Sequence, residues 1–382
     1  MTKLHHYVGA CSIALCTLLS TDVVAEVELV NKDHIFNDHD NFKLTSHGSL
    51  RLQALNFDHY DASNEGQKYR RNGYSAGSRI YLDADYKIND DLNLISGYQN
   101  FINPAKILDW DGHYVEQDEK IRTEQLYFGL SSKQYGTLKF GKQYSVYYDV
   151  VGSKTDLWDY DTIGQAQTWS PFAYVDGTQA ARKMLRYEKK NEYADLYAAY
   201  LFEDESLPYK RKSGEELAID VHLNKELSWA TSWKHNRASL QYDDEQHDFS
   251  QQVLATALFY FDGKWLAGTG AGWYKNTLPN YSAFDLPTAQ QAKQYLNSKA
   301  YGVEYYLGYN FQIAHHGLQS IRPYVMGNYL KYTQGDDFYR QDNGVGVAVR
   351  FDHGIGFDYE RLYTSDTMNT PDMHMFRLRY DW

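Results

Sequence analysis

The sequence has little cysteine or proline and no long apolar run, and each shortage excludes a class of protein. Both cysteines, Cys11 and Cys16, lie among the first 25 residues, so disulfides cannot stabilise the remainder. Only 7 of 382 residues are proline, which argues against a disordered chain. No later segment approaches the roughly 20 apolar residues of a membrane-spanning helix. The chain therefore needs a large, regular fold held by burial and backbone pairing.

Concentrated positive charge is also missing. The 38 basic residues form no long cluster, and the net charge is −12. Proteins that bind nucleic acid generally carry a basic patch or stripe. The sequence therefore predicts no nucleic-acid partner.

Residues 1–25 have the pattern of a secretory signal peptide. Lys3 precedes an apolar run from Ala10 to Leu19, and small residues end at Ala25, where we expect cleavage. An anchor helix is the first alternative, but the run has about half the roughly 20 residues that spanning requires. A lipoprotein acylated at Cys16 is the second, and the large residue before this cysteine disfavours it. We expect residues 26–382 to form one domain.

Aromatic residues are abundant, and they occur in alternating patterns. The chain has 36 Tyr, 17 Phe and 8 Trp, a composition that favours strands. From Lys299 to Phe311, the odd-numbered residues are almost all apolar, and the even-numbered residues are mostly small or polar. This two-residue period indicates a strand. Arg79 to Ile88 has the same pattern. Mean hydropathy is only −0.65, but a membrane barrel conceals its apolar surface by this alternation.

The alternating segments and their connections predict an all-β fold, a transmembrane antiparallel β-barrel of about 16 strands. Connections alternate between short turns and longer polar stretches, such as 58–72, 103–118 and 204–215, as in bacterial barrels. A secreted β-sandwich or lectin is the alternative, although so many consecutive hairpins are unusual there. The predicted strands begin near residues 42, 74, 92, 120, 135, 182, 193, 216, 227, 250, 264, 299, 318, 342, 355 and 374.

The C-terminus provides the sharpest local signal. The chain ends on Trp382, with Tyr380 and Leu378 on the same face of an alternating strand. A terminal strand that ends on an aromatic residue resembles the assembly signal of outer-membrane proteins. We therefore expect the barrel assembly machinery, outer-membrane lipid and lipopolysaccharide to be partners.

Three stretches resemble the general, trimeric porin family of enteric outer membranes. They are the start "AEVELVNKD", the hairpin "SRIYLDADYKINDDLNL", and "YGTLKFGKQYSVYYDVVGSKTD", which resembles the fifth strand and the entry to the third loop. The resemblance is close over residues 74–160 and loose over most of the chain. It implies a sixteen-stranded barrel, a homotrimer, and passive diffusion of small polar solutes through a lumen that an inward-folded third loop narrows.

The connection from Gln143 to Ala181 is too long for an ordinary hairpin loop, which suggests a functional element. If the segment folded into the barrel, its acids Asp156, Asp159 and Asp161 would face basic residues of the wall. The opposed charges would create an electric field across the narrowest part of the channel. A solvated surface loop is the alternative reading of these acids.

The resemblance assigns some constriction residues directly and others only by proximity. Asp156 matches the loop aspartate of the family, whose Pro-Glu-Phe-Gly-Gly is absent here. The family's wall lysine and sixth-strand arginine align with Ser49 and Ala180, so Arg51, Arg182 and Arg186 are neighbouring substitutes. The predicted wall residues are Arg51, Arg79, Arg122, Glu124, Arg182 and Arg186.

Two further functions remain open at this stage. Tyr and Trp residues near the long loop could stack on sugar rings, which would make the channel a selective sugar porin. A barrel hydrolase is the third possibility, but no Gly-x-Ser-x-Gly, His-Glu-x-x-His or phosphate-loop motif occurs. We expect a channel that is not an enzyme and has no cofactor or metal. If the acids dominate, it should prefer cations.

Overall fold

The computed structural model describes residues 27–30, 41–59, 77–109, 119–158, 172–242, 245–277, 296–335, 338–367 and 369–382. Within these residues, sixteen long strands form one closed antiparallel sheet. They are β1 Phe42–Phe57, β2 Arg79–Lys87, β3 Leu92–Ile102, β4 Ile121–Ser132, β5 Gly136–Tyr144, β6 Ala180–Lys189, β7 Ala194–Leu201, β8 Tyr209–His222, β9 Leu227–Tyr242, β10 Glu245–Phe261, β11 Trp265–Lys275, β12 Lys299–Tyr309, β13 Leu318–Gln334, β14 Tyr339–Phe351, β15 Ile355–Asp366 and β16 Met373–Asp381.

Each strand pairs with its sequence neighbours, and β16 pairs with β1 to close the ring. The remaining elements are short. They are the strands Val27–Val30, Asp204–Ser206 and Phe311–His315, the helices α1 Pro104–Ile107 and α2 Val146–Val150, and 3-10 turns at Gly152–Lys154 and Asp352–Gly354. In the part of the chain that the structure describes, no helix is long and apolar enough to span a membrane.

The two faces of the sheet differ as the sequence predicts. On β12, Tyr301, Val303 and Leu307 are exposed, whereas Glu304 and Tyr306 on the opposite face are 2% exposed. Large apolar side chains are likewise exposed on one face of the other strands, and charged side chains lie on the other face. A membrane barrel has its apolar face toward lipid and its polar face toward the lumen. The predicted sixteen-stranded barrel is confirmed.

The two ends of the described chain meet on β1. The backbone N–H and C=O of Trp382 bond to those of Gly48, at 3.1 and 3.0 Å, and Val27 pairs with Ser46 just beyond. Gly48 is required there, because a Cβ would lie 2.5 Å from the Trp382 ring. Trp382 therefore forms part of the contact between β16 and β1 that closes the barrel.

Fifteen predicted strand starts lie within about five residues of the observed ones, and β8 is the exception. It begins at Tyr209, not near 216, and the predicted loop 204–215 is wrong. A β-bulge between Arg211 and Ser213 interrupts the alternation of the strand. In the sequence, the three successive basic residues at this point therefore resemble a polar loop. The predicted signal peptide lies outside the described residues.

Candidate functional site: a segment packed on the polar face of the barrel wall

The long connection after β5 begins with a structured segment, residues 145–158. Ser145 caps α2 by accepting a hydrogen bond from the Tyr148 N–H. The helix lies against β8 and β9, and the following 3-10 turn lies against β10 and β11. The wall beneath is built from small residues: a Cβ at Gly268 would lie 2.2 Å from the Lys154 carbonyl oxygen. Small wall residues therefore let the backbone of the segment approach the sheet closely.

Buried charges attach this segment to the wall. The Val146 N–H donates to the Glu216 carboxylate at 2.5 Å, and Glu216 also pairs with Lys234, both fully buried. Further along, the Lys154 ammonium donates to Asp220 at 2.8 Å and to Ser228 at 2.7 Å. A buried charge is costly unless it is paired, so these contacts fix where the segment lies.

A second group of ion pairs holds the helix end to β5 and β6. Arg186 lies 2.5 Å from Asp149 and 3.2 Å from Glu188, and Lys139 lies 2.9 Å from Glu188. Arg186, which the sequence predicts as a wall residue of the constriction, therefore anchors the segment. Its charge is offset by two carboxylates.

The exit of the connection, residues 172–179, is held by polar groups of β8 and β9. Arg211 is fully buried and donates to the carbonyl oxygens of Val175, Phe202 and Arg182. Asn236 donates to the Asp176 carbonyl oxygen at 2.6 Å. Both described parts of the connection are thus attached to the polar face of the sheet.

The aromatic residues of the segment pack and are not free for stacking. Tyr147, Tyr148 and Trp158 are 0%, 7% and 5% exposed. Burial raises the pKa of the Tyr147 phenol, which stays neutral beside the hydroxyl of Tyr274 at 3.5 Å. These rings fill space between the segment and the wall.

Asp156, the predicted loop aspartate, accepts a hydrogen bond from the Tyr148 hydroxyl. It also lies close to Glu304 of β12, a buried carboxylate flanked by Thr155 and Trp158. Two carboxylates therefore meet where the segment contacts β12. Asp159 and Asp161, the other two predicted loop acids, lie outside the described residues.

Arg122 and Glu124 form a local pair. The Arg122 Nε is 2.8 Å from Glu124, which also accepts from the Tyr174 hydroxyl at 2.5 Å. Burial and the neighbouring Glu124 raise the pKa of the Tyr174 phenol. The pairing of β3 with β4 contains a bulge, at Gln99 and Asn100 of β3. Because of this bulge, the adjacent residues Glu124 and Gln125 of β4 are both buried. The alternation along β4 is therefore irregular.

Arg182 lies apart from the other predicted wall arginines. The next residue, Lys183, has a φ of 54°, and the pairing with β5 shifts at this point. The Arg182 side chain bonds to Asp204 at 2.7 Å and to the Glu205 carbonyl oxygen at 2.8 Å. Its charge is therefore offset by the short strand that precedes β8.

Arg51 and Arg79 lie on the polar faces of β1 and β2, and further arginines lie beside them that were not predicted from the sequence. Arg379 on β16 is the direct cross-strand partner of Arg51. Arg377 follows on the same face, and Arg350 lies two strands away on β14. The alternation of β16 does place Arg377 and Arg379 opposite the apolar face, so this signal could have identified them.

Comparisons with known proteins agree with this geometry. A family model described as Gram-negative porin matches residues 26–219. Outer membrane protein Omp-EA of Erwinia amylovora is 25% identical over 367 residues, which cover 88% of this chain and 85% of that protein. The solved structure of Salmonella typhi OmpF with daunomycin has a TM-score of 0.66 at 15% identity, covering 91% of this chain and 99% of that one. A trimer form of OmpT from Vibrio cholerae has a TM-score of 0.59 at 14% identity, covering 90% of this chain and 100% of that one. At such identities the solved structures show the fold.

Proposed function

The chain belongs to the Gram-negative porin family, and from this we propose that it forms a water-filled channel for passive diffusion of small hydrophilic solutes and ions. Like its relatives, it is an integral β-barrel protein of the bacterial outer membrane. The observation that carries the proposal is the closed sheet, whose polar face bears many charged side chains. Charged groups on the lumen side keep the interior of a large barrel wet and determine which ions enter. The channel performs no catalytic chemistry in this proposal.

The segment after β5 narrows this channel. Support comes from its attachment to polar-face residues, including Glu216 and Asp220 of β8 and Lys234 of β9. A segment on that face lies on the lumen side of the wall and reduces the open cross-section. Asp156, which is half-buried, then places negative charge beside the path of a permeating ion.

A weak cation preference is the expected selectivity. The net charge of −12 and the acids near Asp156 favour cations, because negative charge lowers their entry barrier. Glu124 adds little, since Arg122 offsets it. The arginines of β16, β1 and β2 oppose the preference and keep it small.

Neutralising the loop acids tests the narrowing and the selectivity together. The variant Asp156→Asn with Asp159→Asn should shift the reversal potential toward anions in a KCl gradient. The shift should fade near 1 M salt, where the Debye length is about 3 Å. Asp262→Asn, in an exposed turn, is the matched control and should leave the reversal potential unchanged. If the double variant keeps the wild-type selectivity and conductance, residues 143–181 are only an external loop.

A selective sugar porin is the second candidate, and it has less support. The aromatic rings that suggested it include Tyr147, Tyr148 and Trp158, which are buried against the wall. Stacking on a sugar requires an accessible ring face. Block of the ionic current by maltooligosaccharides at millimolar concentration would favour this second function.

We also propose a homotrimer, as in the trimer form of Vibrio cholerae OmpT. A closed sheet without free edges resists detergent, so the protein should migrate on gels as an oligomer until it is heated. Far-UV circular dichroism dominated by helix, or a monomer before heating, would contradict this assembly.

A further inference from the structure

Two histidine–aspartate pairs lie on the polar face of the barrel wall. Nδ1 of His47 on β1 is 3.7 Å from Oδ2 of Asp83 on β2, and Nε2 of His222 on β8 is 3.5 Å from Oδ2 of Asp195 on β7. Each histidine lies on the face of its strand that is opposite the exposed leucines. Both pairs, which we call the histidine pairs, therefore face the lumen, and they lie on separate parts of the closed sheet.

The His47 pair is held by ring stacking. The imidazole ring lies 4.3 Å from the Tyr81 ring, at an interplanar angle of 9°, and the histidine side chain is 12% exposed. A cation over the face of a tyrosine ring is attracted by its π electrons, so Tyr81 and Asp83 both favour a positive charge on His47. Neighbouring charged residues on this face of β1, β2 and β16 are Lys43, Arg51, Arg79, Asp85, Arg379 and Asp381.

The His222 pair has a defined arrangement of protons. Nδ1 of His222 lies 3.0 Å from the Glu192 carbonyl oxygen, which can only accept, so Nδ1 carries the proton of the neutral ring. Nε2 is then the atom that takes up a second proton, and it faces Asp195. The Asp195 carboxylate accepts from the Asn191 N–H at 3.1 Å and from the Tyr197 hydroxyl at 3.4 Å. Neighbouring charged residues on this face are Asp220 and its partner Lys154.

The histidines are the groups of this set whose charge changes near neutral pH. Imidazole gains its proton between about pH 8 and pH 5, whereas aspartate ordinarily titrates near pH 4, and lysine, arginine and tyrosine near or above pH 10. Each histidine pair therefore carries one negative charge at pH 8 and none at pH 5. His247 also lies on this face, but its partner Glu245 is 76% exposed, so solvent and salt screen that pair.

We propose that His47 and His222 determine the ion selectivity of the channel and make it depend on pH. With both histidines neutral, Asp83 and Asp195 attract cations to the wall, and the cation preference is strongest. Protonation of both histidines adds two positive charges to the lumen, so anions enter more easily. One elementary charge about 8 Å from the path of an ion in water changes the population of that ion roughly twofold. This inference rests on the proposed channel function.

The test is the reversal potential in planar bilayers under a KCl gradient below about 0.1 M, where the Debye length is about 10 Å or more. Between pH 8 and pH 5, the ratio of K⁺ to Cl⁻ permeability should fall at least roughly twofold. The variant His47→Gln with His222→Gln keeps polar side chains at both positions but cannot gain charge. It should lose most of this fall.

Two further double variants serve as controls. His235→Gln with His374→Gln removes two histidines that also lie beside carboxylates, but on the outward face of the same sheet, and it should keep the pH response of the wild type. His47→Arg with His222→Arg fixes a positive charge at both positions. It should show at pH 8 the selectivity that the wild type shows at pH 5.

An equal pH response in the wild type and in the variant His47→Gln with His222→Gln overturns the role of the histidine pairs. Loss of the response in the outward-face control also overturns it. A wild type that conducts with the same selectivity at both pH values overturns it as well, but leaves the channel in place. Absence of conductance in the correctly folded wild type overturns the channel, and this inference with it.

Discussion

Lys154 offers the sharpest test of how the segment after β5 is held. Its side chain is 2% exposed, and its ammonium bonds to Asp220 and Ser228. The variant Lys154→Met keeps the length and apolar stem of the side chain and removes only the charge. Asp220, 10% exposed in its side chain, would then be a buried carboxylate without its cation.

Breaking a buried ion pair by removing one partner costs about 3–5 kcal/mol. Such a cost would shift the equilibrium between attached and detached forms of residues 151–158 by about two to four orders of magnitude. The contacts of Val146 with Glu216 and of Asp149 with Arg186 remain, so α2 should stay in place. Detachment should thus be local and leave the barrel intact.

Single-channel recording measures this detachment. Lys154→Met should give noisier current and a changed mean conductance, while heat-modifiable migration on gels stays normal. The double variant Lys154→Met with Asp220→Asn removes both charges and should recover most of the wild-type behaviour, because no unpaired charge is left buried. If Lys154→Met records like the wild type, or the double variant is no quieter than the single one, this ion pair does not hold the segment.

Two other predictions concern assembly and stability. Deletion of Trp382 should lower the amount of assembled barrel, and so should Gly48→Leu, because its side chain would collide with the terminal ring. Ser46→Ala is the control, and unchanged surface levels in either of the first two variants would refute the role of this contact in assembly. Arg211→Leu should lower the temperature at which the barrel unfolds, measured by its migration on gels. The variant leaves three carbonyl oxygens without their donor, and each hydrogen bond to a charged group contributes about 1.5–3 kcal/mol to stability. Lys212→Leu, one residue away on an exposed ion pair, should have little effect, and equal unfolding temperatures for the two leucine variants would contradict the anchoring role of Arg211.

Alternation along the strands made the architecture predictable. A strand such as β12 has an uninterrupted two-residue period, so the inward position of Glu304 follows from sequence once the apolar face is known. The same logic correctly placed Arg51 and Arg79 on the polar face. Alternation also places Arg379 on the polar face, but it does not give the register between strands, so the pairing of Arg379 with Arg51 was not predicted.

The parts that could not be predicted depend on bulges and long-range contacts. At Glu124 and at Lys183 the chain departs from regular pairing, which changes the face or the partner of the neighbouring arginine. Arg186 and Lys154 are near in space to Asp149 and Asp220, but no spacing in the sequence indicates these pairs. Local patterns therefore predict the barrel, whereas the charge arrangement within it requires the tertiary structure.

The central claim, that this barrel is an open aqueous channel, is tested most directly by single-channel recording of the purified protein in a planar bilayer. We expect stepwise insertions with a stable, nearly ohmic conductance, a weak cation preference at 0.1 M KCl, and loss of that preference near 1 M KCl. Correctly folded, heat-modifiable protein that inserts without conductance steps would contradict it.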